Sequence, residues 1–412
     1  MRTFLLHLRS TPLRWFLPAL LVLDVALILT RDSYWHGLWG DTGATGQIPA
    51  LYLGMFAAGA AAWTASLREQ PEVLEPLSAM PRSQQRAELP RMLALVFIVL
   101  VPYLVGQAVA FCFTAPSWPP GFNLFIGYVL LGVAAVLLAC GWGWLVGRLL
   151  PSRWGPLAGV FGWILVTIAF DTDLVVVSGP AREQPDLPLI AVRVAAAALL
   201  LGVCLWLPLG RDRMLRAALP GAAVVVALAA TAGASGIDMI APRHGTDDPL
   251  CVKGRTTVCL WPEEEKYQGM AERVLNRTEG LPPALAMPDK VYSLGLVRMG
   301  DRWVGDFDLD SGSEWALADG VTRAISAETF AACRRGGWEK YIKANDQSVL
   351  ALERWLEKRL AGGGEPEYTE SGMSESQAKA VEDGKSIADR PAEEQERWAS
   401  DTVQTVLEKY CD

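Results

Sequence analysis

Lysine is missing from the first 240 residues of this 412-residue chain, where all fifteen basic residues are arginines. Histidine is scarce throughout, with only His7, His36 and His244 present. Such scarcity leaves few groups suited to proton transfer or metal ligation near neutral pH. There is no His-Glu-x-x-His, Gly-x-Ser-x-Gly or Cys-x-x-Cys run, which argues against zincin, α/β-hydrolase and thioredoxin-like chemistry. The run Asp383-Gly384-Lys385-Ser386 resembles the end of a phosphate loop, but Lys379 stands where the first glycine belongs. The stretch from Asp306 to Glu314 resembles a calcium loop. Counted from Asp306, however, the sixth and twelfth positions are Ser311 and Leu317 instead of Gly and Glu. Alternation reads it as a strand, with Asp306, Asp308 and Asp310 on a solvated face and Phe307 and Leu309 on the other. The expectation is a protein that is not an enzyme and has no cofactor or metal site.

Charge divides the chain in two. Residues 1–240 hold fifteen Arg against thirteen acidic residues, and the remainder holds the other 22 of 37 basic and 32 of 45 acidic residues. The first part is near neutral and the tail is acidic. An acidic tail without a basic block argues against a nucleic-acid partner. Arg used to the exclusion of Lys, alongside abundant Ala, Gly and Trp, is the composition of a high-G+C bacterial genome.

What the first part does have is long apolar runs. A spanning helix needs about 20 mostly apolar residues. The candidates are Trp15–Thr30, Ile48–Ser66, Met92–Thr114, Phe122–Val146, Pro156–Val177, Leu189–Pro208 and Ala217–Ser235. The last is the weakest, being rich in Ala and Gly and containing Pro220. The first is not a cleaved signal peptide, because Asp24 interrupts it, no cleavage site follows and six more spans come after it. The expected fold is an α-helical polytopic membrane domain of six to seven spans over residues 1–236, followed by a small α+β domain over 237–412.

With the N-terminus inside, twelve of the fifteen arginines of residues 1–240 fall in cytoplasmic segments. Only Arg31, Arg182 and Arg193 lie outside. This is the positive-inside pattern, and seven spans then place the acidic tail outside a bacterial plasma membrane. Charges within spans are costly, which makes Asp24 a candidate for either function or helix packing. Asp171, Asp173 and Arg193 fall near span ends, where they can meet water.

The thiols sort by the same division. Cys112, Cys140 and Cys204 fall in spans, whereas Cys251, Cys259, Cys333 and Cys411 fall in the tail, an even number in the compartment where disulfides persist. The seven residues between Cys251 and Cys259 are too many for a usual zinc pair. They read instead as two short strands turning at Gly254, which would bring the thiols together as a staple. Cys333 and Cys411 are then left for each other, although four cysteines allow three pairings. Beyond the staple, Tyr267, Met270, Ala271, Val274 and Leu275 lie on one helical face. Strands are expected at Lys290–Val297 and Arg302–Asp310. Helices are expected at Trp338–Leu360 and Pro391–Tyr410, separated by Gly362-Gly363-Gly364.

One loop adds a resemblance. Between the second and third spans, Arg68, Glu69, Glu75, Leu77, Pro81 and Ser83 follow a pattern resembling R-E-x-G-x-x-E-x-L-x-x-x-P-x-S-R, with Gln70-Pro71 in place of the glycine step. That pattern resembles the ABC-2 family of ABC transporter permeases. The resemblance covers residues 1 to about 235, and a seventh span and the tail are additions to the family's usual six-span fold. It implies that Glu69, Leu74, Glu75, Leu77, Met80, Pro81 and Arg82 form a cytoplasmic coupling helix. It further implies a partner, a separate ABC ATPase chain docking at loop 68–91, and a homo- or heterodimer in the lipid membrane. The expected role is a non-catalytic permease subunit of an exporter. The alternative is a membrane-anchored extracytoplasmic binding or sensor protein, for which the plain reading of the loop is an interfacial amphipathic helix. A carboxylate-based hydrolase is a third class.

Overall fold

In the computed structural model the described residues are 2–67, 84–150, 153–169, 176, 178–206, 239–243, 245–246, 248–297, 306–309, 312–335, 347–364 and 373–411. The chain is mostly helical and divides into two compact units. One comprises Met1–Gly179 with Glu183–Ala241, and the other Pro180–Arg182 with Pro242–Asp412.

The first unit opens with a short helix, α1 (Arg2–Ser10), and a 3-10 turn, Pro12–Phe16, that leads into α2 (Leu17–Leu29). Next come α3 (Trp39–Thr45), α4 (Ile48–Ser66), α5 (Gln84–Thr114), α6 (Phe122–Leu149), α7 (Gly155–Ala169) and α8 (Leu187–Trp206). Five stretches among the described residues are long and apolar enough to cross a membrane. These are Pro12–Leu29, Trp39–Ser66, Glu88–Thr114, Phe122–Leu149 and Leu187–Trp206. The expected fifth span falls on a shorter apolar helix, Gly155–Ile168, and Ala217–Ser235 lies outside the described residues.

Helices in lipid cannot use the hydrophobic effect against one another, so small residues that admit close backbones decide where they meet. Along α4, Ala58 and Ala62 are spaced like Gly143 and Gly147 along α6, and the pairs face each other. A Cβ on Gly143 would overlap the Ala58 carbonyl, and one on Gly147 the Ala62 carbonyl. Tyr103, Val136, Ala139 and Trp163 complete the surrounding core. Large apolar side chains point outward, among them Val22, Leu165, Ile168 and Trp206, as a lipid-facing surface requires.

Two short strands close this unit. Here β1 (Glu183–Pro185) pairs with β2 (Ile240–Pro242), and the Asp186 N–H donates to the Met239 carbonyl at 2.9 Å. Met239 packs with Leu131 and Ile190. The chain thus returns beside the start of α8, whereas Trp206 ends that helix about 30 Å away at 1.5 Å per residue.

The second unit contains a four-stranded sheet in the order β3 (Leu250–Lys253), β4 (Thr257–Leu260), β5 (Lys290–Ser293) and β6 (Asp306–Phe307). The pair β3–β4 is antiparallel, and β4–β5 and β5–β6 are parallel. A 3-10 turn at Pro262–Tyr267 leads into α9 (Gln268–Thr278), which buries Ala271, Val274 and Leu275. The later helices are α10 (Glu314–Thr329), α11 (Ala331–Arg335), α12 (Gln347–Ala361), α13 (Glu375–Ala388) and α14 (Ala392–Val406). Gln395 ties three of them together. Its Oε1 accepts from Trp355 Nε1 and Arg359 Nη1 at 3.0 Å each, and its Nε2 donates to the Ala388 carbonyl at 2.9 Å. At the end of α12, Gly362 and Gly363 have positive φ, a conformation easiest for glycine.

Candidate functional site

The coupling-loop candidates Glu69, Leu74, Glu75, Leu77, Met80, Pro81 and Arg82 lie outside the described residues, as do Asp171, Asp173 and Asp310. What the structure brings together is a polar group inside the helical unit, centred on the sequence candidate Asp24.

Asp24 sits in the middle of α2 and is 1% exposed. Its carboxylate rests against α5 at Gly106, where a Cβ would overlap Oδ2. Among the described residues neither carboxylate oxygen has a hydrogen-bond partner. One turn before Gly106, the Tyr103 hydroxyl donates to the Val129 carbonyl of α6 at 3.1 Å and accepts from Gln107 Nε2 at 2.9 Å. Gln107 Oε1 is unpaired among the described residues, and so is Nε2 of the fully buried Gln47. Gln47 Oε1 accepts from the Val176 N–H at 3.3 Å.

The short helix α3 continues the polar group. Every residue of Trp39–Thr45 is buried, although Asp41, Thr42 and Thr45 are polar. Asp41 accepts from the Gly179 N–H at 3.0 Å, and Thr42 and Thr114 share a hydroxyl hydrogen bond of 2.6 Å. Trp39 Nε1 donates to the Pro119 carbonyl at 2.7 Å, and its ring stacks with Phe111 in an aromatic cluster that includes Trp118, Phe122 and Phe125.

Polar side chains from α2, α3 and α5, and Gln47 at the N-cap of α4, therefore converge in the interior of an apolar bundle. Sequence reading isolated Asp24 because a charge in a span stands out. Uncharged Tyr103, Gln107 and Gln47 did not stand out, although a glutamine midway along Met92–Thr114 is a readable signal. Chemically the arrangement offers one carboxylate and two amides with unused bonding capacity, suited to a proton, a cation or a polar solute.

In the second unit, register pairs Cys251 with Cys259 across β3 and β4, their Cα atoms 4.1 Å apart. The Cys333 and Cys411 Cα atoms are 4.2 Å apart. Both pairs lie at bonding distance. The chain then passes to the fully buried Trp261, whose Nε1 donates to the Leu294 carbonyl at 3.1 Å. Glu264 Oε2 accepts from the Trp261 N–H at 3.0 Å and Oε1 from Ser293 Oγ at 3.1 Å. Burial raises the Glu264 carboxyl to about 7, against the opposing pull of those two hydrogen bonds. The Arg243 guanidinium lies 4.5 Å over the Trp261 ring and donates to Glu263 and to the Ala181 carbonyl, each at 2.8 Å. Arg182 pairs with Asp308 at 2.6 Å, so the solvated-face aspartate is held by a cation. These contacts explain why Pro180–Arg182, distant in sequence, belongs to this unit.

Comparison with known proteins adds no identity to this geometry: no family model, no curated protein and no solved structure matches the chain.

Proposed function

We propose that this chain is the non-catalytic membrane subunit of an ABC-type transporter, working as an exporter with a separate ATPase. The observation that supports a transport role is the buried Asp24 carboxylate, unpaired among the described residues, with Tyr103, Gln107 and Gln47 inside the bundle. A mere anchor gains nothing from such a group, since an acidic residue at the centre of a span costs about 2.5–3.5 kcal/mol on insertion scales. Retaining one inside the packed helices favours work done there.

The ABC-type assignment rests on the loop residues Arg68, Glu69, Glu75, Leu77, Pro81 and Ser83 and on the arginine asymmetry that puts this loop in the cytoplasm. The chain path is consistent with that orientation. Residues 180–182 and the C-terminal unit share one compartment because they form one compact body. Met239 packs beside Ile190 near the start of α8, at the end opposite Trp206, which supports that reading.

Leu77→Asp tests the assignment. An aspartate would place an unpaired charge in the docking contact. The expected result is loss of the ATPase from the purified chain while membrane insertion and both disulfides persist. Full activity of the variant would favour the anchored binding or sensor protein instead.

A further inference from the structure

A cavity of about 410 Å³ opens where the α1–α2 junction meets the end of α4 and the first turns of α5. That volume lies within the range of small-molecule sites. Its lining is two-sided. His7, Ser10, Thr11, Thr64 and Arg91 supply the polar part, and Leu13, Leu95 and Ile98 the apolar floor.

Arg91 is half-buried, and among the described residues it makes no ion pair or hydrogen bond. The Thr11 side chain caps no backbone group of the turn that follows it. Thr64 already donates to the Ala60 carbonyl at 2.7 Å and Ser10 to the His7 carbonyl at 3.3 Å, so contact with an anion falls to Arg91 and Thr11. A partly desolvated guanidinium without a counter-charge is costly, and an anion removes that cost. The floor of Leu13, Leu95 and Ile98 favours hydrocarbon over water. An inorganic anion meets only the first demand and a neutral hydrocarbon only the second.

The surroundings fix where such a ligand comes from. Leu5 and Leu6 of α1 are exposed, and Phe4 meets Phe97 edge-on at 6.0 Å, which holds α1 against α5. Trp15 is 73% exposed, with the Arg14 guanidinium 5.0 Å over its ring. Exposed Leu, Trp and Arg side by side mark the headgroup level of a bilayer.

We propose that this cavity binds an anionic phospholipid from the leaflet on the N-terminal side. Its phosphate sits on Arg91 and Thr11, and the first methylenes of an acyl chain lie over Leu13, Leu95 and Ile98. The site is separate from the Asp24 group and does not depend on the transport assignment.

The full chain, purified in detergent, is delipidated and titrated with phosphatidylglycerol, with phosphatidylcholine and with inorganic phosphate, and bound lipid is read by native mass spectrometry. One phosphatidylglycerol should be retained, with at least tenfold preference over phosphatidylcholine, and inorganic phosphate should not displace it. Arg91→Gln should weaken retention about tenfold, in line with loss of a charge-assisted contact, and Arg91→Lys should restore part of it. A photoreactive phosphatidylglycerol on the unaltered protein should label the peptides holding residues 7–13 and 91–98, a result independent of how any variant folds. Equal retention of both lipids, unchanged retention by R91Q, displacement by phosphate, or label confined to other helices would each overturn the proposal.

Discussion

Replacing Asp24 by Asn separates a functional carboxylate from a packing one. The two side chains have nearly the same shape, so the contact with Gly106 is preserved and only the ionisable oxygen is lost. Neither Asp24 oxygen has a hydrogen-bond partner among the described residues, so no bond is forfeited. An unsatisfied buried polar group costs about 1–3 kcal/mol, and a charged one more. Since Asn remains polar, D24N should stabilise the helical unit by about 1–2 kcal/mol. The assay is denaturant unfolding of the full chain in detergent, followed by tryptophan fluorescence, run beside the ATP hydrolysis of the proposed complex with its ATPase. Stability should rise while coupled activity falls at least tenfold. A companion change tests the contact itself: Gly106→Ala should cost about 1–3 kcal/mol through overpacking, and most of that loss should vanish when Asp24 is also Ala. If D24N loses more than 1 kcal/mol, the carboxylate has a structural partner, and the reasoning from its isolation fails.

Three further outcomes follow from the C-terminal unit and the topology. On the chain-entropy relation, the 8-residue separation of Cys251 and Cys259 gives about 2.5 kcal/mol and the 78-residue separation of Cys333 and Cys411 about 4.5 kcal/mol. Cys333→Ser should therefore destabilise the unit more than Cys251→Ser in a thermal melt, and the opposite order would contradict the pairing. Glu264 is raised to about 7 when folded, above its ordinary value of 4.5, so the folded state holds the extra proton. The contribution of Glu264 to the stability of this unit should be fully present below about pH 4.5 and be lost, by roughly 3 kcal/mol, as pH rises through 7, with Glu264→Gln removing that slope; an unchanged slope in E264Q would assign it to another group. Alkaline phosphatase fused after Asp412 should be active and the same fusion after Arg86 inactive, because the arginine asymmetry places those points on opposite sides; the reverse pattern would invert the topology.

Much of the architecture was legible because its causes are local. Runs of about 20 apolar residues mark membrane-length helices whatever their neighbours, and five such stretches are present. The Cys251–Cys259 hairpin was readable because two short β-prone runs turn at a glycine. Other features depend on tertiary contacts. Five of the seven residues of helix α3 are Gly, Thr or Asp, poor helix formers, and Phe125, Tyr128 and Gly179 pack around it. Helix α10 begins at the very residues that first resembled a calcium loop, because Ser313 caps it by accepting from the Trp315 N–H at 3.2 Å. Helix α13 starts with a capping box at Ser374 and Gln377, a signal present in the sequence beside the rejected phosphate-loop run. Of the polar group in the bundle, only Asp24 announced itself. Tyr103, Gln107 and Gln47 become a site only when α2, α3, α4 and α5 are brought together, and nothing in any one segment encodes that convergence.

The most direct test of the transport assignment is to purify the tagged full chain from its own membrane and assay the preparation for ATP hydrolysis. The account predicts a stoichiometric ATPase subunit that remains through washing, with hydrolysis lost when Leu77 is changed to Asp. A chain that purifies without any nucleotide-hydrolysing partner, with its C-terminal unit intact and outside the membrane, would contradict it.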